Sequence, residues 1–468
     1  MYSVLRSFFI YGMGEFLSRV IAFGCFLFLA SALVKQDYGL IETYVVAIAL
    51  LCILCSSGLS NALQAFYYSR DEFAGVSEVV RLSTGLTVFL IWQFFAFFLL
   101  LLVYLFFGQD YPVSVFILAF AIASMLGFTQ LIQDIFRLRF QPFRYLMASL
   151  FSKGVAAIVS LAFVIAGFGV EGYLYGYALA LFIVAVSLSY WLRDFMFKGF
   201  DSELARKMLR YGIPFIFVGF GSWVFSSLDR WMLASMVGLD SVGDYAFSVR
   251  ISFLVGFLSL AFGQAWAPLV FKLKESRPWD YSSIYGEVLL VFTLLMSLLA
   301  AGVSVFSGDF VHMFFAEKYG NVVPGIFVLS FACVVQSTTS FTAIGISLSR
   351  KTYYFAWMTW GVALFSFILN LYLIPRFYFF GAIISNFCSV FILTVFYFVF
   401  SQKLSPMKFR VVDLLFSGGM VLVMFGFSAL FVFKLNDLWL SKVLFLLCAF
   451  LLVAIFSIKV GRRYVQAA

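Results

Sequence analysis

Six ionisable side chains fall in stretches apolar enough to lie in lipid: Glu15, Arg19, Lys153, Asp229, Arg230 and Arg250. Four of them are cations, and guanidinium and ammonium groups are suited to holding phosphate or another anion, the guanidinium in a bidentate grip. Arg19, Lys153, Arg230 and Arg250 are therefore candidate substrate-binding residues, with Glu15 and Asp229 as candidate ion-coupling acids. Glu15 and Arg19 stand four residues apart, on one face of a helix. Such a pair either offsets an insertion cost of about 2.5–3.5 kcal/mol per charge, or faces water and offers a cation beside a titratable acid. Lys153 has no acid three or four residues away, so it must face a protein interior rather than lipid. In SSLDRWMLAS, residues 226–235, an acid and a base are adjacent. Neighbours on a helix point about 100° apart, so Asp229 and Arg230 are expected to find separate partners.

The elements that hold these residues follow from composition. The chain is 64% hydrophobic and 11% charged, which leaves no polar stretch long enough for a soluble domain. Apolar runs long enough to cross a bilayer occur near 8–34, 40–68, 82–107, 112–136, 143–167, 171–192, 213–238, 243–270, 284–307, 323–348, 353–374, 379–400, 411–433 and 439–458, fourteen in all. Pro112, Pro142, Pro214 and Pro324 fall where helices would begin, and Pro375 where one would end. The first run is too long for the apolar core of a secretory signal and reads as a span. By the helical rise, Arg19 and Lys153 lie about 16 Å deep, near the midplane. Arg230 and Arg250 form a second level nearer the outer surface, where Arg250 could also snorkel out and Asp229 could brace one of the two arginines.

All six cysteines sit inside apolar segments and read as buried thiols, and Cys52-x-x-Cys55 has no metal partners. No metal or cofactor is expected beyond a coupling Na+ or H+.

The formal charge of +9 would suggest nucleic acid in a soluble protein, but its distribution points elsewhere. With the N-terminus inside, twenty-two cations fall in inner segments and five, Lys35, Lys318, Arg376, Lys434 and Lys442, in outer ones. That asymmetry places both termini in the cytoplasm. The longest inner connection, DFMFKGFDSELARKMLRYG (194–212), sets Leu204, Met208 and Leu209 on one face and Arg206, Lys207 and Arg210 largely on another. It reads as an interfacial amphipathic helix or as a basic loop.

Offset by 207 residues, Gly12 and Gly14 align with Gly219 and Gly221, and Asp37-Tyr38 with Asp244-Tyr245. This suggests two parallel halves, each a six-helix block. The expected organisation is an all-α membrane protein with a lobe at 1–196, a cytoplasmic amphipathic linker at 197–212, a second lobe at 213–401 and two further spans within 410–460.

LDRWMLASMVGLDSVGDYAFSVRIS, then AFGQAWAPLVF, ALVKQDYGLIETYVVA and GLSNALQ carry a resemblance. Over residues 1 to about 400 the chain resembles the polysaccharide-transporter branch of the multidrug/oligosaccharidyl-lipid/polysaccharide flippase superfamily, and is similar to O-antigen-type flippases. An Asp-Arg pair in the seventh span and a Gly-x-Tyr turn after it recur in that family, here Asp229-Arg230 and Gly243-Asp244-Tyr245. The resemblance implies two lobes in a V around a central cavity, moving undecaprenyl-diphosphate-linked glycan across a bacterial cytoplasmic membrane. It also implies membrane lipids as partners, together with the polymerase and chain-length proteins of such a pathway, and no nucleic acid.

No phosphate-binding Gly-x-x-x-x-Gly-Lys-Ser/Thr occurs, and His312, the one histidine, has no plausible catalytic partner nearby. Catalysis is not expected. A membrane glycosyltransferase or polymerase would need a sizeable outer loop or paired acids. A cation-coupled multidrug exporter of the same superfamily would need acids to dominate, whereas the four membrane cations outnumber Glu15 and Asp229. The inside-positive pattern predicts that single cysteines at Ser202 and Asn321 react with impermeant reagents from opposite sides of the membrane. Labelling of both from one side would contradict the topology.

Overall fold

The computed structural model describes residues 2–67, 76–107, 112–193, 195–276, 281–343, 345–346, 349, 353–434 and 438–465. Arg70, Arg277, Arg350 and Lys351, counted among the inner cations, lie outside the described residues. Among the described residues every regular element is a helix, the structure that satisfies its own backbone within an apolar segment. Twelve of these helices are long and apolar enough to cross a membrane. The protein is an all-α, multi-pass membrane protein.

By internal contacts the chain divides into Met1–Trp231 and Met232–Ala468. The first unit contains α1 (Tyr2–Ala32), α2 (Lys35–Ser56), α3 (Leu59–Tyr67), α4 (Glu78–Phe107) and α5 (Val113–Leu138). It continues through α6 (Pro142–Ser149), α7 (Ala156–Phe163), α8 (Gly169–Leu192) and most of α9 (Ser202–Met236). The second unit holds α10 (Leu239–Ser276), α11 (Tyr281–Tyr319), α12 (Val323–Thr342), α13 (Tyr353–Leu404), α14 (Val411–Phe433) and α15 (Trp439–Val465).

Two apolar stretches are far longer than one crossing: Pro142–Leu192 has 51 residues and Tyr353–Leu404 has 52. At 1.5 Å per residue each would reach roughly 75 Å, more than twice the hydrocarbon layer. Each doubles back on itself. In the first, Gly167 (φ 91) and Gly169 (φ 58) reverse the chain, and Gly176 then packs against the backbone of Ser160. In the second, the reversal falls at Tyr378 (φ 53, ψ −133), after which Ser385 Oγ donates to the Ser366 carbonyl at 3.3 Å. A glycine adopts positive φ freely, whereas a tyrosine there is strained by an amount on the order of 1–3 kcal/mol.

Pro112 and Pro142 do stand at helix starts, and Pro324 opens α12. Pro214 does not: it lies inside α9, because the amphipathic linker and the seventh span form one continuous helix. The linker's apolar face is not interfacial. Leu204 and Met208 are fully buried in a cluster with Leu63, Leu82, Leu86, Ile135 and Phe136, and burying each is worth about 1.5–3 kcal/mol. The upper part of α9 also packs on α2, with Gly219 against Ile53 and Trp223 Nε1 donating to the Val46 carbonyl at 2.9 Å. These contacts carry the first unit through to Trp231, past the boundary expected at 196–213.

In the second unit Trp266, Tyr285, Phe292, Phe327, Phe331 and Phe341 form an aromatic core, and the Tyr285 hydroxyl donates to the Phe341 carbonyl at 2.5 Å. The last two helices, α14 and α15, pack on α11 through Met420, Met424, Val453 and Phe456 against Leu290 and Leu294. Lys442, expected in an outer loop, is fully buried instead. It donates to Asp309 Oδ2 at 2.7 Å, which removes the cost of an uncompensated buried charge.

Gly58 (φ +65) and Gly212 meet backbone to backbone, and a Cβ on either would press into the other's main chain. Overpacking of this kind costs about 1–3 kcal/mol. Gly212→Leu is thus expected to lower thermal stability in detergent, whereas Gly361→Leu, at a position facing open space, should leave it unchanged. Equal melting of the two variants would contradict the packing described.

Candidate functional site

α1 and α6 approach closely, because Gly14 brings its backbone to the Cα of Leu146. That contact presents Glu15 to a polar stripe on the facing helix, Tyr145, Ser149 and Lys153, spaced four residues apart. Glu15 Oε1 accepts hydrogen bonds from Lys153 Nζ at 2.6 Å, Tyr145 Oη at 3.2 Å and Ser149 Oγ at 3.3 Å. Oε2 accepts from Lys153 Nζ at 2.8 Å and lies 3.8 Å from Arg19 Nε. One carboxylate is thus shared by two cations. Beneath them Ser18 Oγ donates to the Gly14 carbonyl at 2.7 Å, and Gln133 Nε2 donates to Ser152 Oγ at 3.0 Å. Lys153 lies within a π-helical segment, Leu150–Val155, a local widening often found at functional sites.

The intrahelical pairing of Glu15 with Arg19 was visible in the sequence, but the shorter bond to Lys153 was not. Lys153 has its acid on another helix, 138 residues away in the chain. The signal that would have found it is the stripe Tyr145, Ser149, Lys153 set opposite the stripe Glu15, Ser18, Arg19.

All three charged side chains remain open: Arg19 is 39% exposed, Lys153 35% and Glu15 26%. A ligand can therefore reach both cations and the acid they share.

A second cluster centres on Arg230. Arg230 lies between two acids, with Nε 3.8 Å from Glu42 Oε2 and Nη1 3.8 Å from Asp229 Oδ1. The Tyr38 hydroxyl donates to Glu42 Oε1 at 3.1 Å, and the Arg230 amide donates to Asp229 Oδ1 at 2.8 Å. The expectation that Asp229 and Arg230 would turn to separate partners holds only in part. Arg230 does find Glu42, yet the length of the guanidinium arm also lets it fold back to its neighbour. Glu42 was missed as a deep acid, although Tyr38-x-x-x-Glu42 places the two on one helical face. It is 3% exposed and Asp229 4%, and the Arg230 side chain 14%, so this cluster is nearly closed. Arg250 lies on α10 in the second unit and is half-buried. The structure therefore brings Glu15, Arg19 and Lys153 together, and Asp229 with Arg230 and Glu42.

Further buried acids were not counted in the sequence. Asp134 pairs with Arg137, and Glu287 lies 3.8 Å from Arg410 Nε. The inference that membrane cations outnumber deep acids does not survive this count. What remains is a difference in access: the cluster at Glu15 is open and the one at Arg230 nearly closed. The repeated Asp-Tyr pair has a common role in both units, since Tyr38 and Tyr245 are each fully buried near the start of their helices. Among the described residues no group of three His, Cys, Asp or Glu side chains is placed to hold a metal ion.

Several proteins share this architecture or parts of this sequence. An uncharacterized membrane protein of Methanocaldococcus jannaschii is 26% identical over 223 residues, covering 45% of this chain and 42% of that protein. The chain thus spans about two fifths of the length of that curated relative. The lipid II flippase MurJ, in an inward closed conformation, superposes with a TM-score of 0.70 at 15% identity, over 98% of this chain and all of that one. An inward-facing multidrug resistance MATE family transporter of the MOP superfamily gives 0.65 at 16% identity, covering 83% and 94%. The fold is that of these transporters. Residues 4–274, more than half of the chain, match the polysaccharide biosynthesis protein family, and the chain belongs to that family.

Proposed function

We propose that the protein is a flippase that carries a diphosphate-linked oligosaccharide on a polyprenyl lipid across a bacterial cytoplasmic membrane, working by alternating access with both termini in the cytoplasm. Membership of a polysaccharide biosynthesis family supports the glycan, and the fold supports transport rather than chemistry on the sugar. The observation that carries the reading is the open cluster in which Arg19 and Lys153 share the single carboxylate of Glu15.

A diphosphate brings more negative charge than Glu15 and offers acceptor oxygens to both cations. It displaces the carboxylate, while the polyprenyl tail stays in lipid. The displaced Glu15 has then lost its counter-charges, and a proton or sodium ion becomes its natural partner. In this account substrate binding and ion coupling meet at one residue. Glu42 and Asp229 form a second coupling candidate because their two charges face one arginine.

That same closed acidic cluster favours a second reading, a cation-coupled multidrug exporter. The two differ in which cluster meets the substrate.

A single cation–phosphate contact is worth about 1.5–3 kcal/mol, or roughly ten- to a hundredfold in transport. At membrane abundance matched to the parent, Arg19→Ala and Lys153→Ala should each lower flipping of a lipid-linked oligosaccharide by that factor. Arg19→Lys, which keeps the charge and loses the fork, should fall between. Full flipping by both alanine variants would reject the site and return the exporter reading to the front.

A further inference from the structure

The second unit contains a recess remote in sequence from the anion site and of different chemistry. It has a volume of about 520 Å3, within the ~300–1,000 Å3 typical of small-molecule sites. His312 of α11, Asn321 and Pro324 at the start of α12, and Phe377, Tyr378 and Phe380 at the reversal of α13 line it. Among the described residues no Lys, Arg, Asp or Glu contributes to the lining. That lining does not suit a phosphate.

Its polar groups are an imidazole, a carboxamide and a phenol, each of which both donates and accepts hydrogen bonds. Its apolar surface is aromatic. Together they match a pyranose, which offers C–H faces to aromatic rings and, around its edge, hydroxyls that need both donors and acceptors.

The backbone at Tyr378 adds an independent argument. The reversal in the first unit uses Gly167 and Gly169 at positive φ, while the corresponding turn of α13 forces a tyrosine to φ 53. Glycine would remove that strain. An aromatic ring kept only to sit at the membrane interface could occupy an unstrained neighbouring position. Strained backbone held by its surroundings clusters at ligand clamps, and Tyr378 is 60% exposed beside Phe377 at 50%.

We infer that this recess is a saccharide-binding site that contacts the uncharged sugar rings of the cargo, separate from the cationic cluster that holds the diphosphate. The inference rests on the flippase reading for its ligand. With the termini inside, Asn321 lies at the outer end of the protein, where a delivered glycan emerges.

The single histidine gives the site its own reporter. Full-length protein labelled with 15N-histidine shows one imidazole, which can be followed while free glucose, galactose, rhamnose and N-acetylglucosamine, and short oligomers of each, are added. At least one saccharide should shift that signal saturably, and inorganic phosphate should not. Tyr378→Gly should melt no lower than the parent, because it relieves strain, yet bind the saccharide about tenfold more weakly through loss of the ring. The absence of any saturable shift, or unweakened binding by Tyr378→Gly, would overturn the proposal. Saccharide binding here in a protein that flips no lipid-linked glycan would sink the flippase reading and leave the site standing. Intact flipping with a silent imidazole would do the reverse.

Discussion

A charge placed in an apolar layer must be compensated, and around Glu15 two cations share one carboxylate to that end. Each charged residue near the bilayer centre costs about 2.5–3.5 kcal/mol to insert. A pair of opposite charges about 4 Å apart recovers about 4 kcal/mol at an effective dielectric near 20. One carboxylate faces two cations, Lys153 at 2.6 Å and Arg19 at 3.8 Å, and all three side chains remain open. The close approach of α1 to α6 at Gly14 and the π-helical turn at Lys153 maintain this geometry. The proposed transport cycle follows from it, because a diphosphate competes with the shared carboxylate for both cations and the acid it displaces needs a new partner.

The cluster at Arg230 shows the same physics with the opposite outcome. Two acids and one guanidinium are nearly enclosed, with Tyr38 donating to Glu42. A nearly closed site lined by two carboxylates admits a small cation more readily than a large anion. Lys442 and Asp309 show a third arrangement, one acid to one base at 2.7 Å with the lysine fully buried. Such a pair is balanced and has no charge to offer a ligand. Functional potential in this protein follows the access a cluster offers, more than the presence of charge.

The legible part of the sequence was what depends on local pattern. Hydropathy located the apolar helices, and turns were expected near 168–170 and 375–378, where Gly167 and Tyr378 reverse the chain. The (i, i+4) pair of Glu15 and Arg19 was also local. What escaped depends on packing between distant segments. Lys153 meets Glu15 across two helices, and Glu42 reaches Arg230 from α2, so neither pairing leaves a periodic trace in one segment. The linker was misread for a related reason. Its amphipathic face is the same whether it meets a lipid surface or the core around Leu63 and Leu82, and only tertiary contact separates the two. The saccharide recess was less legible still, since His312, Asn321 and Tyr378 come from three segments and a strained φ is not written in residue type.

The central claim is that Glu15 competes with the substrate anion for Lys153 and Arg19. Equilibrium binding of a short-chain polyprenyl diphosphate to the purified protein and to Glu15→Gln tests it directly. Amide replacement keeps the shape and removes the competing charge, and for partly exposed pairs the gain is about fivefold in affinity. Tighter binding by Glu15→Gln, lost again when Lys153→Ala is added, is the predicted result. Unchanged or weaker binding by Glu15→Gln would contradict the account, because the carboxylate would then be a support for the two cations and not their resting ligand.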